Sequence, residues 1–136
     1  MEEDSMDATN QKGPVVLHAP LHVAILVSNL ARSREFYEGV LGLQPVERAL
    51  KFPGIWYQIG DFQVHLMVNP EWQMACPRPD KWGRNPHVAF AIADLTAAQA
   101  ALTAAGFPLQ MSASGRAALF TQDPDGNIIE LTQVSP

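Results

Sequence analysis

One cysteine, Cys76, occurs in the 136-residue chain, so no disulfide can form within it, which fits a reducing compartment. No run approaches the roughly 18 to 20 apolar residues needed to cross a bilayer, which argues against a membrane protein. Positive charge is scarce: 9 Lys and Arg face 14 Asp and Glu, for a net charge of −5, and no stretch gathers basic residues among aromatics. That composition excludes the usual surface for DNA or RNA. The opening segment, MEEDSMDATNQKGP, carries acidic residues where a secretory signal needs basic ones and has no apolar core, so the expected location is the cytoplasm. What is present, 47% hydrophobic and 17% charged residues, suits a soluble globular chain with a single core.

Residues 1–19 are polar and aperiodic and read as a flexible tail; His18 stands at its end, outside the pattern described next. From residue 20 the order of elements runs twice. Module 1 (20–68) opens with a strand over 21–27, followed by a helix that Ser28 or Asn29 can cap and Gly42 can stop. Strands are expected over 43–47, 55–59 and 62–68, the last two joined by the hairpin signal Gly60-Asp61. A linker or lid over 69–85 is broken by Pro70, Pro77 and Pro79. Module 2 (86–134) repeats the order: a strand over 87–93, Asp94 capping an Ala-rich helix that ends at Gly106, then strands over 108–111, 117–121 and 127–134. Asp125-Gly126 marks its closing hairpin. The chain is therefore α+β, with two tandem βαβββ modules forming curved mixed sheets around a cleft, within one domain over 20–134.

The duplication carries the chemistry. Laying residue 22 on residue 87 places HVA on HVA, Asn29 on Asp94, Leu30 on Leu95 and His65 on Glu130. His22 and His65 stand 43 residues apart, as do His87 and Glu130. Each sits among apolar neighbours, where an unpaired polar group is costly to bury. Residues at i and i+2 of a strand share a face, so His22 lies with Ala24 and Leu26, and His87 with Ala89 and Ala91, small neighbours that leave room for a bound species. Three imidazoles and one carboxylate form a borderline donor set suited to one divalent transition metal (Zn, Ni, Fe, Mn or Co) rather than to Mg or Ca.

The runs LHVAILVSNLARSREFYEGVLGL and FTQDPDGNIIELTQ resemble the first strand with its FY-containing helix and the closing DPDGN segment of the vicinal oxygen chelate superfamily. That superfamily includes glyoxalase I, extradiol dioxygenases, and fosfomycin and bleomycin resistance proteins. The resemblance covers residues 20–134, and SGRAALFTQDPDGN is similar to plant and cyanobacterial glyoxalase I-like proteins. It implies the glyoxalase/bleomycin resistance/dioxygenase fold, with His22, His65, His87 and Glu130 on the four metal positions. It further implies a homodimer in which His22 and His65 come from one chain and His87 and Glu130 from the other.

Among reactions, the resemblance implies first a glyoxalase I-like lyase or isomerase. A small hemithioacetal or other α-hydroxycarbonyl compound, with glutathione as a possible co-substrate, would pass through a metal-stabilised enediolate, and Glu130 would move the proton. Many glyoxalase I enzymes carry glutamate where this chain has His65. The alternative is an Fe(II) extradiol-type dioxygenase in which His22, His87 and Glu130 bind iron and His65 is the acid-base group. A third reading is a non-catalytic small-molecule binder of the bleomycin resistance type. Trp56, Tyr57 and Phe120 are expected to contribute aromatic walls, together with Trp72 and Trp82, and Arg116 to bind an anionic substrate group. Cys76 lacks a histidine partner in sequence and is not expected to act as a nucleophile.

Overall fold

The computed structural model describes residues 13–48 and 51–135; residues 1–12 of the expected tail lie outside the described residues. The first module comprises β1 (His22–Val27), α1 (Leu30–Tyr37), β2 (Gln44–Val46), β3 (Gly54–Ile59) and β4 (Phe62–Val68). The second comprises β5 (His87–Ile92), α2 (Leu95–Ala105), β6 (Leu109–Met111), β7 (Ala118–Gln122) and β8 (Ile128–Gln133). A short 3₁₀ turn, Trp82–Arg84, lies between them. Among the described residues no helix is long and apolar enough to cross a membrane.

Local chemistry accounts for the boundaries. Asn29 caps α1 by accepting from the Arg32 amide, and Asp94 caps α2 by accepting from the Ala97 amide. Helix α2 stops at Gly106, whose left-handed conformation (φ 84°) lets its amide reach the carbonyls of Leu102 and Thr103. Helix α1 ends at Tyr37, short of Gly42, because Gly39 and Leu41 already take bonds outside the regular ladder.

Each module forms one four-stranded mixed sheet, in the orders β1-β4-β3-β2 and β5-β8-β7-β6. The first and last long strands of each module are parallel neighbours, and the duplication extends to register: Ala24 lies opposite His65 as Ala89 lies opposite Glu130. One core serves both modules. Phe36 meets Phe107 edge to face at 5.0 Å, and Ile25, Val27, Tyr57, Val64 and Leu66 share a buried cluster with Leu102, Leu119, Ile129 and Leu131.

The DPDGN turn ties the modules together. Asp123, only 4% exposed, accepts from Tyr37 Oη (2.7 Å) and Asn127 Nδ2 (2.8 Å) and from the Asp125 and Asn127 amides. Asp125 accepts from the Ser28 amide and hydroxyl, and Asn127 also donates to the Leu26 carbonyl. Burial raises the Asp123 pKa above the ordinary carboxylate value, while those hydrogen bonds oppose the shift. The segment expected to be a linker is pinned too, through Met74 N to Asp125 O (3.0 Å) and Trp72 Nε1 to Asn127 Oδ1 (3.3 Å).

Candidate functional site

Alternation along β1, β3 and β4 places His22, Trp56 and His65 on the face opposite the core. The three rings form one stack: His65 lies 4.1 Å from His22 and 4.2 Å from Trp56 between centroids, with interplanar angles of 13° and 9°. Ala24, opposite His65, is small enough to leave this face open. A glutamine chain orients His65. Gln58 donates to the Gly60 carbonyl (2.7 Å), its Oε1 accepts from Gln63 Nε2 (2.7 Å), and Gln63 Oε1 lies 2.8 Å from His65 Nε2. In that network His65 Nε2 carries the proton. Burial, with the neighbouring His22 and Arg48, lowers the His65 pKa below its ordinary value.

The second module arranges its own pair on the corresponding face. His87 Nδ1 lies 2.7 Å from the Asn85 carbonyl and must donate to it, so Nε2 is the nitrogen presented 3.1 Å from Glu130 Oε1. The other carboxylate oxygen accepts from Thr132 Oγ1 (2.6 Å) and Arg116 Nη1 (3.3 Å). Glu130 is 7% exposed. Burial opposes its charge, but the hydrogen bonds from Thr132 and Arg116, the Arg116 charge and the His87 contact outweigh it and hold the pKa below the ordinary value. Phe120, opposite Glu130 in β7, sets its ring edge-on to His87 at 5.5 Å between centroids.

The four predicted ligands therefore lie as two pairs. Among the described residues no three His, Cys, Asp or Glu side chains converge where they could hold one ion. The modules share one core and are clasped by the Asp123–Asn127 turn.

Of the expected wall residues, Trp56, Phe120 and Arg116 adjoin the pairs. Tyr57 does not: it faces the core at 0% exposure, stacks towards Tyr37 and donates its hydroxyl to Glu38 (2.8 Å). Adjacent strand residues point to opposite faces, so Trp56 and Tyr57 cannot both line one site. Trp72 bonds to Asn127 and Trp82 to the Pro79 carbonyl, and Cys76 adjoins the Asp123–Gly126 turn, away from both pairs. Sequence reasoning missed Asn85, the residue that orients His87, and the glutamine chain behind His65. Gln63 was detectable by its i, i+2 relation to His65, whereas Asn85 lies outside any periodic element.

Either pair suits a divalent metal by donor type, and the second also by spacing. In neutral His87 the Nε2 lone pair faces a carboxylate oxygen, two acceptors that only a proton or a cation between them can reconcile. Two adjacent ligands at roughly 2.0 to 2.2 Å from an ion stand about 3 Å apart, close to the observed separation.

Known proteins agree with this architecture. "Glyoxylase I 4" of Arabidopsis thaliana is 29% identical over 128 residues, an alignment covering 87% of this chain and 72% of that protein. Among solved structures, the trypanothione-dependent glyoxalase I of Leishmania major superposes with a TM-score of 0.65 at 22% identity, covering 85% of this chain and 86% of that one. The fosfomycin resistance protein FosX of Mesorhizobium loti superposes with a TM-score of 0.67 at 21% identity, covering 86% and 92%. At such identities the structural likenesses establish the fold. The sequence profile of the Glyoxalase/Bleomycin resistance protein/Dioxygenase superfamily matches residues 19–131, and the chain belongs to that superfamily.

Proposed function

We propose that the protein is a metal-dependent, glyoxalase I-like lyase or isomerase acting on a small hemithioacetal or α-hydroxycarbonyl compound, with glutathione as the thiol co-substrate. The observation that carries this reading is the buried, charged Glu130 beside the oriented Nε2 of His87. His87 and Glu130 of one protomer, with His22 and His65 of a second copy, would hold one Zn, Ni, Fe, Mn or Co ion in a homodimer. Bound there, the ion would supply a Lewis acid that favours loss of a proton beside a carbonyl.

The side chains divide the remaining work. Glu130 is the one carboxylate of the set, and its lowered pKa keeps it ionised and able to accept a proton from one substrate carbon and return it to the next. Asn85 holds the His87 ring, and Thr132 and Arg116 hold the carboxylate, so neither must reorganise when charge moves. Trp56 and Phe120 are apolar walls that keep water from the transferred proton.

One observation favours a second reading. His65, with its lowered pKa, lies in contact with His22, where an acid-base histidine of an Fe(II) dioxygenase would be needed. The test is metal analysis of protein purified without added metal, followed by assays with hemithioacetal and with catechols under air. Isomerisation without oxygen uptake is expected. Fe(II)-dependent oxygen consumption would replace the lyase by the dioxygenase, and protein that binds no metal would leave only a small-molecule binder.

A further inference from the structure

We propose that Gln58 and Gln63 are positioning residues that fix the neutral ring of His65 so that Nδ1 is the only nitrogen it offers to a metal. The second module offers the other atom, since the Asn85 carbonyl holds His87 by Nδ1 and leaves Nε2 open. The two modules thus present different imidazole nitrogens. That His65 holds a metal rests on the function proposed above; which nitrogen it leaves open does not.

The direction of the glutamine chain follows from backbone carbonyls. Strand pairing puts Gln58 directly opposite Gln63, and Gln63 shares a face with His65 two residues further along β4. A carbonyl can only accept, so the Gln58 atom 2.7 Å from the Gly60 carbonyl and 3.4 Å from that of Phe62 belongs to its NH2 group. The Gln58 oxygen is therefore the atom that faces Gln63 at 2.7 Å, and it requires the Gln63 NH2 group there. What Gln63 turns to the ring is its oxygen, 2.8 Å from His65 Nε2, and only an N–H on that nitrogen satisfies it. A neutral imidazole carries one such proton. Nδ1 keeps its lone pair and makes no hydrogen bond among the described residues. The hairpin at Gly60-Asp61 thus reaches His65 through two side chains.

The ring stack adds a second restraint. His65 lies between His22 and Trp56, and rings on both faces oppose the half-turn about Cβ–Cγ that would carry its nitrogens to the other edge. His22 has no comparable hold: neither of its ring nitrogens makes a hydrogen bond among the described residues. Imidazole lone pairs lie in the ring plane, and two planes only 13° apart do not meet near the rings, so His22 and His65 cannot aim at one ion while stacked. Because His65 is the ring held by hydrogen bonding, His22 is the one that must turn. The glutamine chain therefore separates a fixed ligand from an adjustable one, the division of labour that outer partners of metal ligands supply.

The test uses NMR on isotope-labelled full-length protein at about pH 8, where histidine is neutral, first metal-free and then with an NMR-active cadmium isotope. In the metal-free protein the His65 Nε2 proton should be seen directly, protected from exchange by Gln63. Gln63→Leu should abolish that signal, Gln58→Leu should weaken it because the Gln63 amide can then turn over, and His22→Ala should leave it in place. With cadmium, one-bond coupling should fall on His65 Nδ1 and on His87 Nε2. In Gln63→Leu the His65 coupling should move to Nε2, with cadmium bound about tenfold more weakly. An unprotected His65 Nε2, or a signal that survives Gln63→Leu unchanged, would overturn the inference. Should Gln63→Leu fail to fold, an unchanged signal in Gln58→Leu decides the matter in the same way. The two claims fail separately: cadmium coupled to His65 Nε2 in the parent removes this inference alone, and a protected Nε2 proton in protein that binds no metal removes the proposed reaction alone.

Discussion

His87 presents Nε2 3.1 Å from Glu130 Oε1, and the partner on its other nitrogen, the Asn85 carbonyl, can only accept. The pair is thus held in a geometry in which a shared proton or a shared cation resolves the contact. Glu130→Gln would keep the shape and remove the charge. Metal affinity is expected to fall by roughly 100-fold or more and isomerisation with it, with little change in far-UV circular dichroism. Isothermal titration of the two proteins with Zn or Ni reads the difference directly; equal affinities would remove Glu130 from the ligand set.

Gly83 abuts Phe120 so closely that an added Cβ would lie 2.5 Å from ring atom Cζ. Gly83→Ala should therefore displace either the 3₁₀ turn or the ring that packs on His87, at a cost of about 1 to 3 kcal/mol. Urea denaturation measures the cost, and the His87 ring resonances should move with it. A variant as stable as the parent, with those resonances unmoved, would show that the turn does not support the pair.

Asp123 gathers four hydrogen-bond donors at the junction of the modules. Asp123→Ala would leave the Tyr37 hydroxyl, the Asn127 amide and two backbone amides without their acceptor, and a loss of about 3 kcal/mol or more is expected in denaturant unfolding. Tyr37→Phe removes one donor only and should cost about 1 kcal/mol.

Burial, His22 and Arg48 depress the His65 pKa below its ordinary 6.5. The unfolded chain then binds the proton more tightly than the folded one. The contribution of His65 to stability is full above pH 6.5 and is lost as pH falls from there through the lower, folded value. Unfolding midpoints of the metal-free protein measured between pH 8 and pH 5 should decline over that window, and His65→Gln should flatten the decline. A decline of the same size in the variant would assign it to other groups.

Much of the fold was readable because local signals and duplication agreed. Asn29 and Asp94 cap as their residue types suggest, Gly106 closes α2, and HVA at 22–24 and 87–89 begins equivalent strands in equivalent register. Strand alternation also places His22 with His65 and His87 with Glu130. The phase of β3 was open to the same argument, since Gln58 shares a face with Trp56 and leaves Tyr57 with Ile55 and Ile59 on the other. The separation of the pairs was not readable, because it depends on which faces of two similar sheets pack together, a choice made by Phe36, Phe107 and the Asp123 clasp rather than by periodicity. The course of the Pro-rich segment was hidden for a similar reason, since it is set by Gln110 and Asn85.

If two copies of the chain complete one metal site, two variants that each lack one ligand should complement each other. His22→Ala and His87→Ala variants, each expected to bind metal poorly, are unfolded together, refolded as a mixture, and assayed for bound metal by equilibrium dialysis. In a random mixture half the dimers are mixed and each regains one intact site of two, so the mixture should recover about one quarter of the parent's metal. Metal binding no greater than that of either variant alone would contradict the shared site.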